Sequence, residues 1–539
     1  MKGSLGKRGL KHQMNDCPVI SLVLHGHAPF VCHPEQPLAS QEHWLFESIS
    51  ETYIPLLEVF ENLDKDHIPF RIAISLSPTL CHMLSDEFLI HRYLEYVERQ
   101  IEFGEDELNR CADNQELRLL VKKSLDTIIK KKTLFTERYE KNILKGFDHY
   151  QRKGRLEIMA TAATHAFLPF YTFFPEAIQA QFEVAISTYR NNFDRYPAGF
   201  WLPEMGWKEE LDQWLRSYNF SYTIVDSHAL FQTNDFPKKG NFYPVRTPQG
   251  IAVFARDFYA ASEMADIAKD PVYRFPYRDQ GFELPHEMIN RFLSQQGSRN
   301  GTGYKYWAYG DDLSGKVLYN PERAREKAYK HARYFIENRL SVLKSAKEQM
   351  DVCPMSLCAF EADSFGRFWH EGPEFIEAFF REGAKSNLQF MTPAECLSRL
   401  DSLDFQNLTP AFSSWGNNGY AETWLDASND WMYRHAVRAL DRMVEIAERF
   451  PNNSGLKERA LNQAAREILL VLSSDWSKML YRQENADYAW NRIVGSLRNF
   501  TTIYEALGSN YISTEWLTQL ERRHNVFPNI NYRVFRRKR

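Results

Sequence analysis

No stretch of this sequence is apolar over the roughly eighteen residues that a membrane-crossing helix needs, so a helical membrane span is excluded. Met1 to Asn15 is basic and polar and lacks the apolar segment of a secretory leader. Cysteine is sparse: the seven, at 17, 32, 81, 111, 353, 358 and 396, form no Cys-x-x-Cys pair. An odd, dispersed set excludes a disulfide framework and gives no zinc-type spacing, which predicts reduced thiols in a cytoplasm. Charge of one sign is also missing. A net charge of -4, with 25% charged residues, gives no reason to expect nucleic acid as a partner. The basic end from Arg533 to Arg539 reads as a frayed terminus. What the chain has in plenty is aromatic surface: 14% Phe, Trp and Tyr, including 12 tryptophans. A large core accounts for most of that, and carbohydrate binding is a second use for it.

Short β-rich runs recur along the first three quarters of the chain. They are Val19 to Leu24, Phe70 to Ser75, Leu156 to Ala160, Pro197 to Phe200, Tyr222 to Val225, Ile251 to Phe254, Ser356 to Phe360 and Leu388 to Met391. Continuous apolar runs of this length fit strands buried on both faces of a parallel sheet. Helical, charge-laced insertions are expected near 84–151 and 258–345, and a Pro/Gly/Lys-rich exposed loop at 232–250. After about residue 405 the strands stop, and Trp431 to Phe450, Ser454 to Trp476 and Ala486 to Leu507 read as three amphipathic helices. The division predicted is a disordered tail at 1–16, an α/β barrel at 17–404 and a helical domain at 405–539.

In such a barrel the side chains at the C-terminal strand ends converge. His25, His27, His165, Glu204, Asp226, Arg256, Glu361 and Asp363 all stand at those ends. Glu204 is the most informative, because Phe200-Trp-Leu-Pro-Glu-Met-Gly-Trp207 sets one carboxylate between two indoles. Sugar rings stack on indoles, and a carboxylate beside them is placed for chemistry at an anomeric carbon. The same pattern also describes a core tryptophan pair flanking a turn glutamate.

The order of motifs resembles glycoside hydrolase family 57, and within it the 1,4-α-glucan branching enzymes. The resemblance rests on Leu24-His-Gly-His27 with His33-Pro-Glu35, Gly154-Arg-Leu-Glu157, Ala163-Thr-His165, Trp201-Leu-Pro-Glu204 and Arg256-Asp257. It continues through Phe365-Gly-Arg-Phe-Trp369 with Glu371-Gly-Pro373, Ser414-Trp-Gly416 and Ser473-Ser-Asp-Trp476. It implies a (β/α)7 incomplete TIM-like barrel with a C-terminal helical domain, acting on α-1,4-glucan such as amylose or a glycogen-like polysaccharide without metal or cofactor. It implies Glu204 as nucleophile and the position of Glu361 as acid/base. His25, His27, His165, Trp201, Arg256 and Asp363 would then contact sugar, with Trp415, Trp424 and Asp475 shaping the acceptor side. The histidines also raise the possibility of a metal triad like that of deacetylases, but the first strand ends in no carboxylate and His165 lacks a His-x-x-x-His partner.

Three departures stand out. Members of the family carry Asp-x-Glu where this chain reads Glu361-Ala-Asp363, which exchanges the two carboxylate types. The loop at 232–250, expected to hold a tyrosine over the cleft, reads Pro237-Lys-Lys-Gly240. An aromatic expected after Arg256-Asp257 is replaced in the alignment by the neighbourhood of Met264-Ala265. The expectations are therefore a branching enzyme first, an α-glucan hydrolase second, and a non-catalytic glucan-binding homologue third.

Overall fold

The computed structural model describes residues 18–295, 297–311, 316–386 and 388–538; the tail expected at 1–16 lies outside them. Seven parallel strands form the frame: β1 Val19–Gly26, β2 Ile72–Leu76, β3 Leu156–Thr161, β4 Gly199–Trp201, β5 Tyr222–Val225, β7 Ala252–Ala255 and β8 Met355–Glu361. They lie in the order β7-β5-β4-β3-β2-β1-β8. A short strand β6, Val245–Arg246, pairs antiparallel with β7, and β9, Gln389–Phe390, pairs with β1. Nearly every residue of the central strands is buried, as the continuous apolar runs predict.

The sheet curls but β7 and β8 do not form a ladder. The seam between them is instead fastened just past β7, where the Asp257 N–H donates to the Leu357 carbonyl at 2.8 Å. The Asp257 carboxylate also accepts from the Ser356 hydroxyl at 2.6 Å and pairs with the buried Arg339 at 2.7 Å. The register sets His25 opposite Glu361, so the C-terminal ends of β1 and β8 share one rim.

The two insertions meet. The helix Glu87–Arg110 lies against the 258–320 segment, where the Tyr304 hydroxyl donates to the Gln100 carbonyl at 2.9 Å and Tyr306 to Glu107 at 2.8 Å. The C-terminal region is helical as expected, with one correction. The helix expected over 454–476 is two helices, Leu456–Val471 and Ser474–Arg482, broken at Leu472 and Ser473. That break turns the second helix towards the barrel rim, where the Ser474 N–H donates to the His165 carbonyl at 3.1 Å.

Candidate active site

Glu204 lies three residues past the end of β4, in a turn that begins at Pro203. Its backbone is left-handed, φ 58° and ψ 20°, and Met205 beside it has φ 50°. Each such non-glycine residue costs about 1–2 kcal/mol and persists only where its surroundings hold it. Here the Glu204 carbonyl accepts from the Trp415 N–H at 2.8 Å. The strained turn aims the side chain into a pocket where both carboxylate oxygens are bonded. Oε2 accepts from the Trp415 indole N–H at 2.6 Å and Oε1 from the Ser474 hydroxyl at 2.9 Å. Burial raises the proton affinity of Glu204 above the usual carboxylate range, while Lys478 and the Trp415 bond oppose that rise.

The three histidines form a stack above this carboxylate. The His27 and His165 rings are 3.9 Å apart and 11° from parallel, and His25 lies flat on Trp201 at 4.7 Å and 7°. His165 Nδ1 is 2.9 Å from Ser474 Oγ, and its Nε2 is 2.8 Å from His25 Nε2. Because Ser474 donates to Glu204, its oxygen accepts from His165 Nδ1–H. His165 Nε2 then accepts from His25 Nε2–H, which leaves His25 Nδ1 without a proton and without a partner. Burial, reinforced by the charge His27 would carry, pushes His25 and His165 well below the usual imidazole range, so both are neutral in this chain of bonds. His27 donates from Nε2 to Asp475 at 2.9 Å, and Asp475 also accepts from the Ser473 hydroxyl at 2.5 Å. Burial works to raise Asp475, but His27 and Ser473 outweigh it and hold it low.

His27, His165 and Asp475 are close enough, within 4.8 Å, to be asked whether they hold a metal. A metal ion lies in the plane of each imidazole it binds. Two near-parallel rings 3.9 Å apart share no such point, and Asp475 is already engaged by His27. The geometry favours hydrogen bonding over ligation.

Glu361 ends β8 and stands at the open side of the cleft, its side chain 43% exposed. Its near partner is Lys478, whose Nζ is 3.6 Å from Glu361 Oε1. Lys478 holds its proton more firmly than usual, first through Glu361 and then through Glu204 and Asp475. The structure does not bring Asp363 to the cleft. It lies in the turn after β8 and accepts from the Ser48 hydroxyl at 2.7 Å, with Arg367 at 3.8 Å. Burial raises its proton affinity, and Arg367 and Ser48 work against that.

The remaining sequence-derived residues divide into two groups. Arg256 reaches the rim, paired with Asp226 and lying 5.8 Å from the Trp415 ring. Trp201, Trp207 and Trp424 are fully enclosed: Trp201 forms the floor under His25, Trp207 donates to the Pro410 carbonyl at 3.0 Å, and Trp424 stacks on Phe167 at 5.1 Å. The indole beside the Glu204 carboxylate is thus Trp415, more than two hundred residues away, and neither of its sequence neighbours. The 232–250 loop is fastened outside the cleft: Lys239 donates to the Asp404 carbonyl at 2.8 Å, and the Lys238 N–H to the Gln406 side chain at 2.8 Å. Phe258 and Tyr259, directly after Arg256-Asp257, are 55% and 72% exposed, while Met264 is buried.

Ser474 and Lys478 were not singled out from sequence. Ser474 lay inside the quoted Ser473-Ser-Asp-Trp476 motif; Lys478 follows Asp475 by three residues, one helical turn, and that spacing was the only signal for it.

Comparisons with known proteins give the chain a family. Residues 21–408 match the family described as glycosyl hydrolase family 57, and residues 435–535 match the region described as 1,4-alpha-glucan branching enzyme, C-terminal. The 1,4-alpha-glucan branching enzyme TK1436 of Thermococcus kodakarensis is 26% identical over 535 aligned residues, covering 94% of this chain and 77% of that protein. Among solved structures, the alpha-amylase AmyC of Thermotoga maritima superposes with a TM-score of 0.89 at 36% identity, over 97% of this chain and 100% of AmyC. The family 57 branching enzyme of Pyrococcus horikoshii superposes with a TM-score of 0.88 at 27% identity, over 97% of each chain. The match over residues 21–408, most of the chain, places it in glycosyl hydrolase family 57.

Proposed function

We propose that this protein is a retaining α-glucan transferase that cuts an α-1,4 bond and rebuilds it as an α-1,6 branch. The observation that carries the reading is the doubly hydrogen-bonded Glu204, enclosed with Trp415 and Ser474 and sharing Lys478 with Glu361. Glu204 attacks the anomeric carbon while Glu361 gives its proton to the departing glycosidic oxygen, and a glycosyl ester forms. The Trp415 and Ser474 donors steady the carboxylate charge that is spent in this step and regained in the next. Glu361, now ionised, takes the proton of the incoming 6-hydroxyl, which attacks the ester and releases Glu204. His25, His27, His165 and Arg256 orient the sugar, Trp415 faces the acceptor side, and Asp475 holds His27.

A second reading, hydrolysis, has its own support: the likeness to an α-amylase at 36% identity and the 232–250 loop fastened away from the cleft. Water, entering in place of the 6-hydroxyl, completes the same cycle. Incubating the protein with amylose and then debranching the product separates the readings. New short chains after debranching are expected. Reducing ends without new branches assign hydrolysis, and an unchanged polymer assigns a glucan binder.

A further inference from the structure

Glu361 is one methylene longer than the aspartate that the family resemblance leads one to expect, and it has one more torsion to fix. At the open edge of the cleft, a side chain 43% exposed needs a partner to keep a single position. A misplacement of about 1 Å at such a group costs on the order of 10²-fold in rate. The only ion-pair partner of Glu361 among the described residues is Lys478, from the helix Ser474–Arg482. That helix is itself fixed on the barrel by Ser474 and Asp475. Nζ approaches Oε1 at 3.6 Å.

We infer that Lys478 is a positioning residue for catalysis: it tethers the longer Glu361 carboxylate from across the domain boundary and so restores the reach that an aspartate would have had. This rests on the reading of Glu361 as the acid/base. The charged and titratable groups facing Lys478 are Glu361 from β8, Glu204 from the turn after β4, and Asp475 and Arg482 from its own helix, with neutral His25 and His165 behind. Its positive charge therefore favours the ionised form of Glu204. Removing it shifts the acid limb of the rate profile, which follows Glu204, to higher pH.

The test compares Lys478→Met, Lys478→Arg, Glu361→Asp and the double variant Lys478→Met/Glu361→Asp, with thermal unfolding as a check on folding. On amylose, Lys478→Met is expected to lower kcat by about 10- to 100-fold with KM within about twofold. The acid limb should move to higher pH, and Lys478→Arg should recover most of the rate. In the Glu361→Asp background the shorter side chain no longer meets the amine, so the further loss from Lys478→Met should shrink to less than about threefold. An equal loss in both backgrounds, or a pH profile that stays in place, overturns the inference. Glu204→Gln, measured in parallel, keeps the two claims apart. If it retains full turnover the assignment of the site itself fails; if it is dead while the Lys478→Met profile is unmoved, only the tether fails.

Discussion

The two carboxylates of the cleft live in opposite surroundings. Glu204 is enclosed, sits on a strained backbone and has a donor on each oxygen; Glu361 stands at the open rim with one ammonium at 3.6 Å. The contrast suits the proposed roles. A nucleophile must present a fixed atom to a fixed carbon, so rigidity would serve Glu204. An acid/base must exchange its proton with whatever enters the acceptor side, so access would serve Glu361.

The comparison is broken most severely at its enclosed half. Glu204→Gln should lower kcat by about 10⁴-fold or more while sparing affinity for glucan. The same variant should be more stable than the parent at neutral pH. Burial raises the Glu204 pKa in the fold, so the folded state disfavours the ionised form. The resulting stability cost is absent below the unfolded value near 4.5 and complete above the folded value. A melting-temperature gain at pH 7 that vanishes on acidification below that point checks the sign.

Trp415→Phe keeps the ring and removes the indole donor. A hydrogen bond to a charged group is worth about 1.5–3 kcal/mol, so kcat should fall by roughly 10- to 100-fold. The acid limb of the profile should also move to higher pH, because that bond works to lower the proton affinity of Glu204. Ser474→Ala should cost less, under about tenfold, since His165 Nδ1 stands 3.6 Å from Glu204 Oε1 and can donate to it directly once the hydroxyl is gone. The smallest effect is expected at Asp363→Asn. Its carboxylate accepts from Ser48 away from the cleft, so kcat should stay within about threefold of the parent and any change should appear in the melting temperature. A large loss of rate there would return Asp363 to the chemistry and undo the distinction between the residues at 361 and 363.

The frame was legible because its signal is local. An apolar run followed by His, Glu, Arg or Asp marks a buried strand and its C-terminal end; the eight runs include all seven parallel strands of the frame and β9, while the count of seven came from the family resemblance. β6 escaped, since two residues inside a Pro/Gly-rich loop carry no period. The tryptophans were harder. Nothing in the sequence tells Trp415, which touches a carboxylate, from Trp424, which packs on Phe167. Trp201 and Trp207 flank Glu204 in the chain, yet Trp201 lies under His25 and Trp207 is tied to the Pro410 carbonyl. Ser474 and Lys478 meet carboxylates 270 and 117 positions away, and the former depends on a helix break at Leu472 and Ser473 that amphipathic periodicity runs straight through.

That break has a practical corollary. The barrel carries both carboxylates, but the donor on Glu204 Oε1, the anchor of His27 and the amine beside Glu361 all arrive on one nine-residue helix. On heating, catalysis should therefore fade when this helix lets go of the rim, before the sheet itself melts, and inactivation should run ahead of the loss of β structure.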